Sequence, residues 1–328
     1  MITTIMKDHT VIAIDLGGTK VSGAIFDRQS MLSSREVLML ENQTGKDVGA
    51  LVLELIRKLR EQANRRGLTV SGVGVAVPGI YHADSRTVWA PNIPGWEDYP
   101  LYEEIASGVK GADITVKIDS DRACCIMGEA WKGAAQDCRY AIFLAVGTGI
   151  GAGIMVDGMV LRGAHDIAGA VGWMALDRPW TGDYMSCGCF EYHASGNGMA
   201  ERAKNSLKEK ESAFIDTGSN DPEKIVAGEI FKAYSTGDPH AVAIINNCIE
   251  FWGMACANLV SIFNPEKIIF GGGVFGPAVQ FLGNIYEEAR KWAQPVSIQK
   301  VTFTAAGLGQ DAGLYGAACL ALDHNPTL

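Results

Sequence analysis

The sequence predicts an α/β fold of two duplicated lobes, and three observations predict it. Two glycine-rich loops, at 15–20 and 147–153, each end one apolar run and precede another. Strand-like and helix-like stretches alternate along the chain, the pattern of layered α/β proteins. The order of elements that begins at Val11 begins again near Tyr140, so the second half repeats the first. With 328 residues, 48% of them hydrophobic, there is material for a core in each lobe.

The first lobe opens with a strand over 11–14, the glycine loop, and a strand over 21–26, with a third strand expected near 33–40. Between about 47 and 66, Val48, Leu51, Val52, Leu55, Ile56 and Leu59 recur near every 3.6 residues and predict an amphipathic helix. The apolar run 73–77 stops at Pro78 and Gly79, and 114–118 runs into Asp119, Ser120 and Asp121; both read as strands ending at polar tips. After Tyr140 the strands 140–146 and 154–156 flank the second loop. A polar helical insert near 199–210, a helix over about 241–263 and a strand at 267–270 follow, the last ending in Gly271, Gly272 and Gly273. The one linker-like stretch, 216–222, reads as a surface loop of the second lobe. The lobes are expected at 1–120, completed by a C-terminal helix over 310–328, and at 121–309. Ligands of such layers collect at the carboxyl ends of the strands, so a cleft between the lobes is expected to receive them.

Composition narrows the function. No apolar run reaches the roughly 18 residues of a membrane-spanning helix, and the first ten residues lack the layout of an export signal, so a soluble cytoplasmic protein with no membrane partner is expected. The eight cysteines fall mostly in helix-like or apolar segments, where free thiols act as small core residues and build no disulfide framework. A formal net charge of −9 disfavours a nucleic-acid partner, which would call for clustered Lys and Arg.

Glycine turns through positive φ and lets backbone N–H groups reach phosphate oxygens with no Cβ in the way. Alone, either loop reads better as a tight hairpin turn. Two such strand-loop-strand units in one chain point to a nucleotide held between two lobes.

In order and spacing these motifs resemble, nearly end to end, those of the ROK family of sugar kinases, open reading frames and repressors. That family lies within the actin-like ATPase superfamily, with its ribonuclease H-like fold of two duplicated lobes around a nucleotide and sugar cleft. Residues 15–20 resemble its first phosphate motif, 147–153 its second, 264–274 its adenosine-side motif, 90–96 its sugar-contacting loop and 308–318 its closing helix. Family repressors carry a winged-helix domain ahead of the first phosphate motif; fourteen residues precede Asp15 here, so DNA binding is not expected.

The resemblance implies roles. A hydroxyl attacking the γ-phosphate of ATP needs a base beside it, and the family places an Asp eight residues before a Glu. Asp121, eight residues before Glu129, holds that place, with the neighbouring Asp119 as its rival. Asp15 would orient Mg²⁺ through water, while Gly17, Gly18, Thr19 and Lys20 would face the β- and γ-phosphates. Gly147, Thr148 and Gly149 would meet the same phosphates, and Gly271, Gly272 and Gly273 would let the backbone approach the nucleotide. On the sugar side the resemblance implies Asn92 and Glu191. Taken alone, Asn92 reads as a turn residue after Pro91 and Glu191 as an exposed helix-start carboxylate. The family's homodimer is also expected, with the lobes closing around both substrates to exclude water.

One segment departs from the family pattern. Where the family has Gly-Glu-x-Gly-His, this chain has Ala170 and Trp173 in place of Glu and His. The first cysteine of the following zinc segment is Met185, and about three residues between Cys187 and Cys189 are missing. Structural zinc takes four N or S ligands, so no family-type zinc site is expected. Cys187, Cys189 and His193, with His165 as a fourth group, form only a weak possibility. Trp173 is expected either to fill the space left by the metal or to present its ring face to the sugar. Losing the Glu and His deprives sugar hydroxyls of partners, each worth roughly 1–3 kcal/mol, so a shifted sugar preference is expected. The leading reading is an ATP- and Mg²⁺-dependent hexose kinase, glucokinase-like, acting on a primary hydroxyl, O6. Its alternatives are a catalytically weak sugar-binding sensor and an N-acetylhexosamine kinase.

Overall fold

The structure, a computed structural model, describes residues 9–323 except 30, 34, 112 and 209–224. The 216–222 stretch, the end of the 199–210 insert and the last residues of the 310–328 helix therefore lie outside the described residues. The chain divides into two compact units, one of Met1–Asp137, Gly158–Ala168 and Gln310–Leu328, the other of Cys138–Asp157 and Gly169–Gly309.

In the first unit, strands β1 (Thr10–Leu16), β2 (Lys20–Phe26), β3 (Glu36–Met39), β4 (Val70–Val77) and β7 (Thr115–Ser120) form a sheet in the order β3-β2-β1-β4-β7. β1 pairs antiparallel with β2 and parallel with β4, which pairs parallel with β7. A small hairpin of β5 (Ile80–His82) and β6 (Thr87–Trp89) follows β4, and 158–168 adds the two-residue β10 (Met159–Val160).

Because strand side chains alternate, β1 serves two cores. Ile12, Ile14 and Leu16 join the cluster under α1 (Gly45–Arg65) and α2 (Leu101–Gly108), while Val11 and Ala13 join the cluster under α3 (Asp121–Lys132) and α9 (Ala312–Ala321). Helix α1 buries Val48, Val52, Leu55, Ile56 and Leu59, the apolar stripe of its sequence. The same parity turns Asp15 toward α9.

Two glycines bring α3 and α9 together: a Cβ on Gly316 would lie 1.7 Å from the Cys124 carbonyl oxygen, and one on Gly128 2.3 Å from that of Ala312. A third, Gly74 on β4, would meet the Ala317 carbonyl oxygen at 1.9 Å. The compact units thus part at 137/138, where the sequence suggested 120/121, because α3 buries Cys124, Met127 and Trp131 with α9.

The second unit repeats the strand pattern. β8 (Ala141–Val146) pairs antiparallel with β9 (Ile150–Val156) and parallel with β11 (Lys267–Gly271), which pairs parallel with β12 (Thr302–Ala305). Its core takes in α4 (Cys189–Ala194), α5 (Gly196–Lys208), α6 (Ala227–Ser235), α7 (Pro239–Phe263) and α8 (Leu282–Trp292). The Asp238 carboxylate caps α7 by accepting from the His240 and Ala241 N–H groups, Pro239 supplies the first turn, and Asn264 ends it in the left-handed region. Inside, the Trp252 Nε1 donates to the Ala194 carbonyl at 3.0 Å, tying α7 to α4. None of the eight cysteines is paired in a disulfide, and among the described residues no helix is long and apolar enough to cross a membrane.

The α3–α9 contact leaves no room for a side chain at Gly316. Replacing it with Val is expected to cost ~3 kcal/mol or more, read as a lower midpoint in chemical denaturation.

Candidate active site

In the first unit, the turn between β1 and β2 closes through Gly17 N–H donating to the Lys20 carbonyl at 2.9 Å. Gly18 and Thr19 are exposed at its tip. A Cβ on Gly18 would stand 3.0 Å from Asn92 Nδ2, so this loop and the 90–96 loop touch. The second loop is well anchored: Ala90 N–H donates to the Trp96 carbonyl, and the Trp96 indole N–H to the Gly45 carbonyl at 2.9 Å. Trp96 is buried and stacks on Tyr99 with ring centres 4.2 Å apart, leaving Asn92 exposed on a rigid base.

Asp15 lies near the end of β1 with the first turn of α9 against it; a Cβ on Gly313 would be 2.9 Å from its carboxyl carbon. Its pKa is raised to about 6, chiefly by burial and next by the charge of Asp121, with Arg35 and Lys20 pulling it down. Arg35 in turn bridges Asp311 at 2.9 Å and Ser22 Oγ at 3.0 Å. Asp15, Lys20 and Asp121 are thus brought within electrostatic reach of one another.

The two rival carboxylates separate cleanly. Asp119 is buried in β7, accepts from the Ser120 N–H at 2.8 Å, and takes Arg162 Nε at 3.0 Å and Nη2 at 2.6 Å. It is therefore neither a solvated turn residue nor a helix cap; Ser120 is the cap of α3, accepting from Ala123 N–H. Asp121 opens α3, accepts from the Arg122 N–H at 2.7 Å and keeps a side chain 44% exposed. The protein around it disfavours its charged form and raises its pKa, with Arg122 opposing.

In the second unit the turn is shorter than the 147–153 glycine run: β8 ends at Val146, Gly147 N–H donates to the Gly149 carbonyl, and Gly151 and Gly153 lie within β9. Glu191, on α4, accepts from the Ile150 N–H at 2.6 Å, and Cβ atoms on Gly149 and Gly172 would stand 2.6 and 3.0 Å from its Oε2. It is half-buried against the loop and not an exposed helix-start carboxylate, and burial raises its pKa.

Gly147 and Thr148 also line a cavity of about 410 Å³ with Gly273 and Val274. Gly272, at φ +86°, passes so close to Val146 that a Cβ would be 2.4 Å from its carbonyl oxygen. The rest of the cavity escaped the sequence reading. It comes from the start of α5, where Gly196 and Asn197 donate their N–H groups to the carbonyls of Gly147 and Thr148, from Lys204, and from 225–228. The glycines at 196 and 198, opening a helix, were the available signal; a Cβ on Gly196 would be 2.7 Å from the Gly147 carbonyl oxygen.

The departing segment folds without gathering metal ligands. Cys187 is half-buried, Cys189 is buried, and His193 stacks on Phe251 at 4.2 Å with its Nε2 hydrogen-bonded to Tyr184 Oη at 2.9 Å. Among the described residues no group of three or more His, Cys, Asp and Glu is placed to hold a metal ion, so these residues do not fit zinc. Trp173 corrects one expectation: its side chain is not a core filler, because the residue is 58% exposed. Its backbone packs on Gly188, where a Cβ would be 2.5 Å from the Trp173 Cα, and the ring is left in solvent.

The chain is similar to known proteins over nearly its whole length. The family model described as "ROK family" matches residues 11–324. The glucokinase of Halalkalibacterium halodurans is 28% identical over 96% of this chain and 96% of its own. An N-acetyl-D-glucosamine kinase of Yersinia pseudotuberculosis is 25% identical over 94% of this chain and 97% of its own. Among solved structures, a ROK family glucokinase from Streptomyces griseus in complex with glucose and AMPPNP superposes with a TM-score of 0.78 at 28% identity, covering 96% of this chain and 99% of that one.

The raised pKa of Asp15 makes it a stability liability. Between the unfolded value near 3.8 and about 6 the folded state holds the extra proton, so stability falls as pH rises through this window and the penalty persists above it. Asp15→Asn is expected to raise the melting temperature of the ligand-free protein at pH 7, the gain shrinking as pH drops toward 4; thermal unfolding across that range checks it.

Proposed function

The chain belongs to the ROK family, and on that premise we propose that it is an ATP-dependent hexose kinase that phosphorylates a primary hydroxyl, O6, of glucose or a related hexose. It is a phosphotransferase of the sugar-kinase type. The observation that carries the finer reading is the fate of the two carboxylates at the junction of β7 and α3. Arg162 occupies Asp119, whereas Asp121 stands open at the head of α3.

In this reading the sugar hydroxyl oxygen bonds to the γ-phosphorus as the bond from phosphorus to the β,γ-bridging oxygen breaks. The hydroxyl proton passes to Asp121, and ADP leaves. Asn92, fixed through Trp96, and Glu191, fixed on Ile150 N–H, supply polar contacts to the sugar. The Gly17–Lys20 turn and Gly147, Thr148 and Gly149 meet phosphates, and the cavity beside Gly273 takes the adenosine side. Asp15 would hold Mg²⁺, because a cation would relieve the charge that Asp121 imposes on it; such ions bind through few carboxylates plus substrate phosphates. When bound, Mg²⁺ neutralises phosphate charge. Cytoplasmic residence, expected from the composition, and a homodimer, implied by the family resemblance, belong to the same reading.

A second reading within the same chemistry, an N-acetylhexosamine kinase, is favoured by the exposed Trp173 ring beside Ala170 and by the Yersinia relative.

Asp121→Asn keeps the shape and removes the base. It is expected to lower kcat by about 10² to 10⁴ with little change in sugar KM, measured by coupled ADP release; near-normal turnover would refute the assignment. Trp173 is tested on a panel of glucose, mannose, allose, fructose and N-acetylhexosamines. Trp173→Ala is expected to raise KM for the preferred sugar by about fivefold to tenfold while leaving KM for ATP alone. Wild-type preference for glucose at ordinary affinity, unchanged in the variant, would sink the specificity role.

A further inference from the structure

Arg122 sits where local physics disfavours it. It occupies the first turn of α3, where the helix dipole repels a cation, and its side chain is only 15% exposed. Two partners offset this. Its Nη2 donates to the Gly79 carbonyl at 3.2 Å, and its Nε stands 4.0 Å from Asp121 Oδ1. The first is a firm anchor, because Gly79 has φ +112° and a Cβ there would lie 2.1 Å from the Trp89 carbonyl oxygen, so the loop after β4 has no freedom to follow a side chain.

We propose that Arg122 is the positioning residue of the base: braced on Gly79, its guanidinium pairs with Asp121 and holds that carboxylate ionised and oriented at the head of α3. The inference rests on Asp121 being the base. The other cations nearby are committed elsewhere. Arg162 holds Asp119, Arg35 bridges Asp311 and Ser22, and Lys20 acts on Asp15. The remaining groups in electrostatic reach of Asp121 supply no positive charge: Asp15 on β1 and the Cys124 and Cys125 thiols of α3. The charge of Asp121 already raises the proton affinity of Asp15. Without a cation beside Asp121 its carboxylate takes up a proton more readily, and a protonated Asp121 accepts nothing from a sugar hydroxyl.

The test is the pH dependence of kcat/KM for the sugar, from about pH 5 to about pH 9, in the wild type, Arg122→Met, Arg122→Lys and Asp121→Asn. Removing the guanidinium raises the pH at which Asp121 ionises, so the acid limb of Arg122→Met moves up by about one pH unit, a loss of about tenfold on that limb that is recovered toward the alkaline plateau. Arg122→Lys, which keeps the charge, restores most of the limb and serves if the Met variant does not fold. An acid limb at the wild-type position in both variants overturns the proposal, as does an equal loss at every pH. Asp121→Asn separates the two readings: turnover surviving in it overturns the base assignment, whereas an inactive Asp121→Asn beside an unshifted Arg122→Met overturns only the role of Arg122.

Discussion

The close approach of α3 to α9 is the constraint on which the first unit depends. Helices that touch through backbone atoms need glycine at the crossing, and Gly128 and Gly316 supply it. Both helices then lie flat on the face of the sheet that carries Val11, Ala13 and Ala76. Their N-terminal ends come to the end of β1 where Asp15 emerges, so the crossing carries Asp121, Asp15 and Asp311 into mutual electrostatic range. A wider crossing would relieve the packing and separate the charges together.

Three acidic groups so placed repel one another, and the unit answers with cations in fixed assignments. Arg35 reaches Asp311, Lys20 faces Asp15, Arg162 holds Asp119 with two hydrogen bonds, and Arg122 stands beside Asp121. The balance is incomplete by construction: Asp15 retains a pKa near 6 and Asp121 one above the usual range. Residual charge strain of this kind suits a site that meets a cation and a triphosphate, since ligand binding relieves what folding left unresolved.

The second unit solves a different problem with similar means. Its Glu191 is seated by a backbone N–H and by two glycines whose missing Cβ atoms leave space for the carboxylate. The segment behind it is held by aromatic packing: His193 lies on Phe251, and Tyr184 bonds its outer nitrogen. Stacked rings and side-chain hydrogen bonds, with Trp252 also donating to the Ala194 carbonyl, thus secure α4 while Trp173 is left facing solvent.

Strands and glycine turns were legible in the sequence because alternation, helical spacing and glycine's backbone freedom are local properties. The strand from Thr10, the α1 stripe and both loops follow from neighbours within a few residues. The short hairpin at 80–89, α2 and α6 were not, since elements of a few residues carry too little periodicity. The choice between Asp119 and Asp121 was beyond the sequence: two carboxylates one residue apart are told apart only by Arg162, 43 positions away in the chain and 2.6 Å away in space. Trp173 likewise reads equally as core or surface until the Gly188 contact turns its ring outward, and the cavity wall joins Gly147 to Asn197 and Gly273 across long separations. By itself, then, the sequence determined the duplicated α/β plan and the family, because both reside in short patterns. The tertiary structure alone decided which carboxylate is free, which ring is exposed and what lines the cavity, because those depend on charges and surfaces that meet only after the chain has closed on itself.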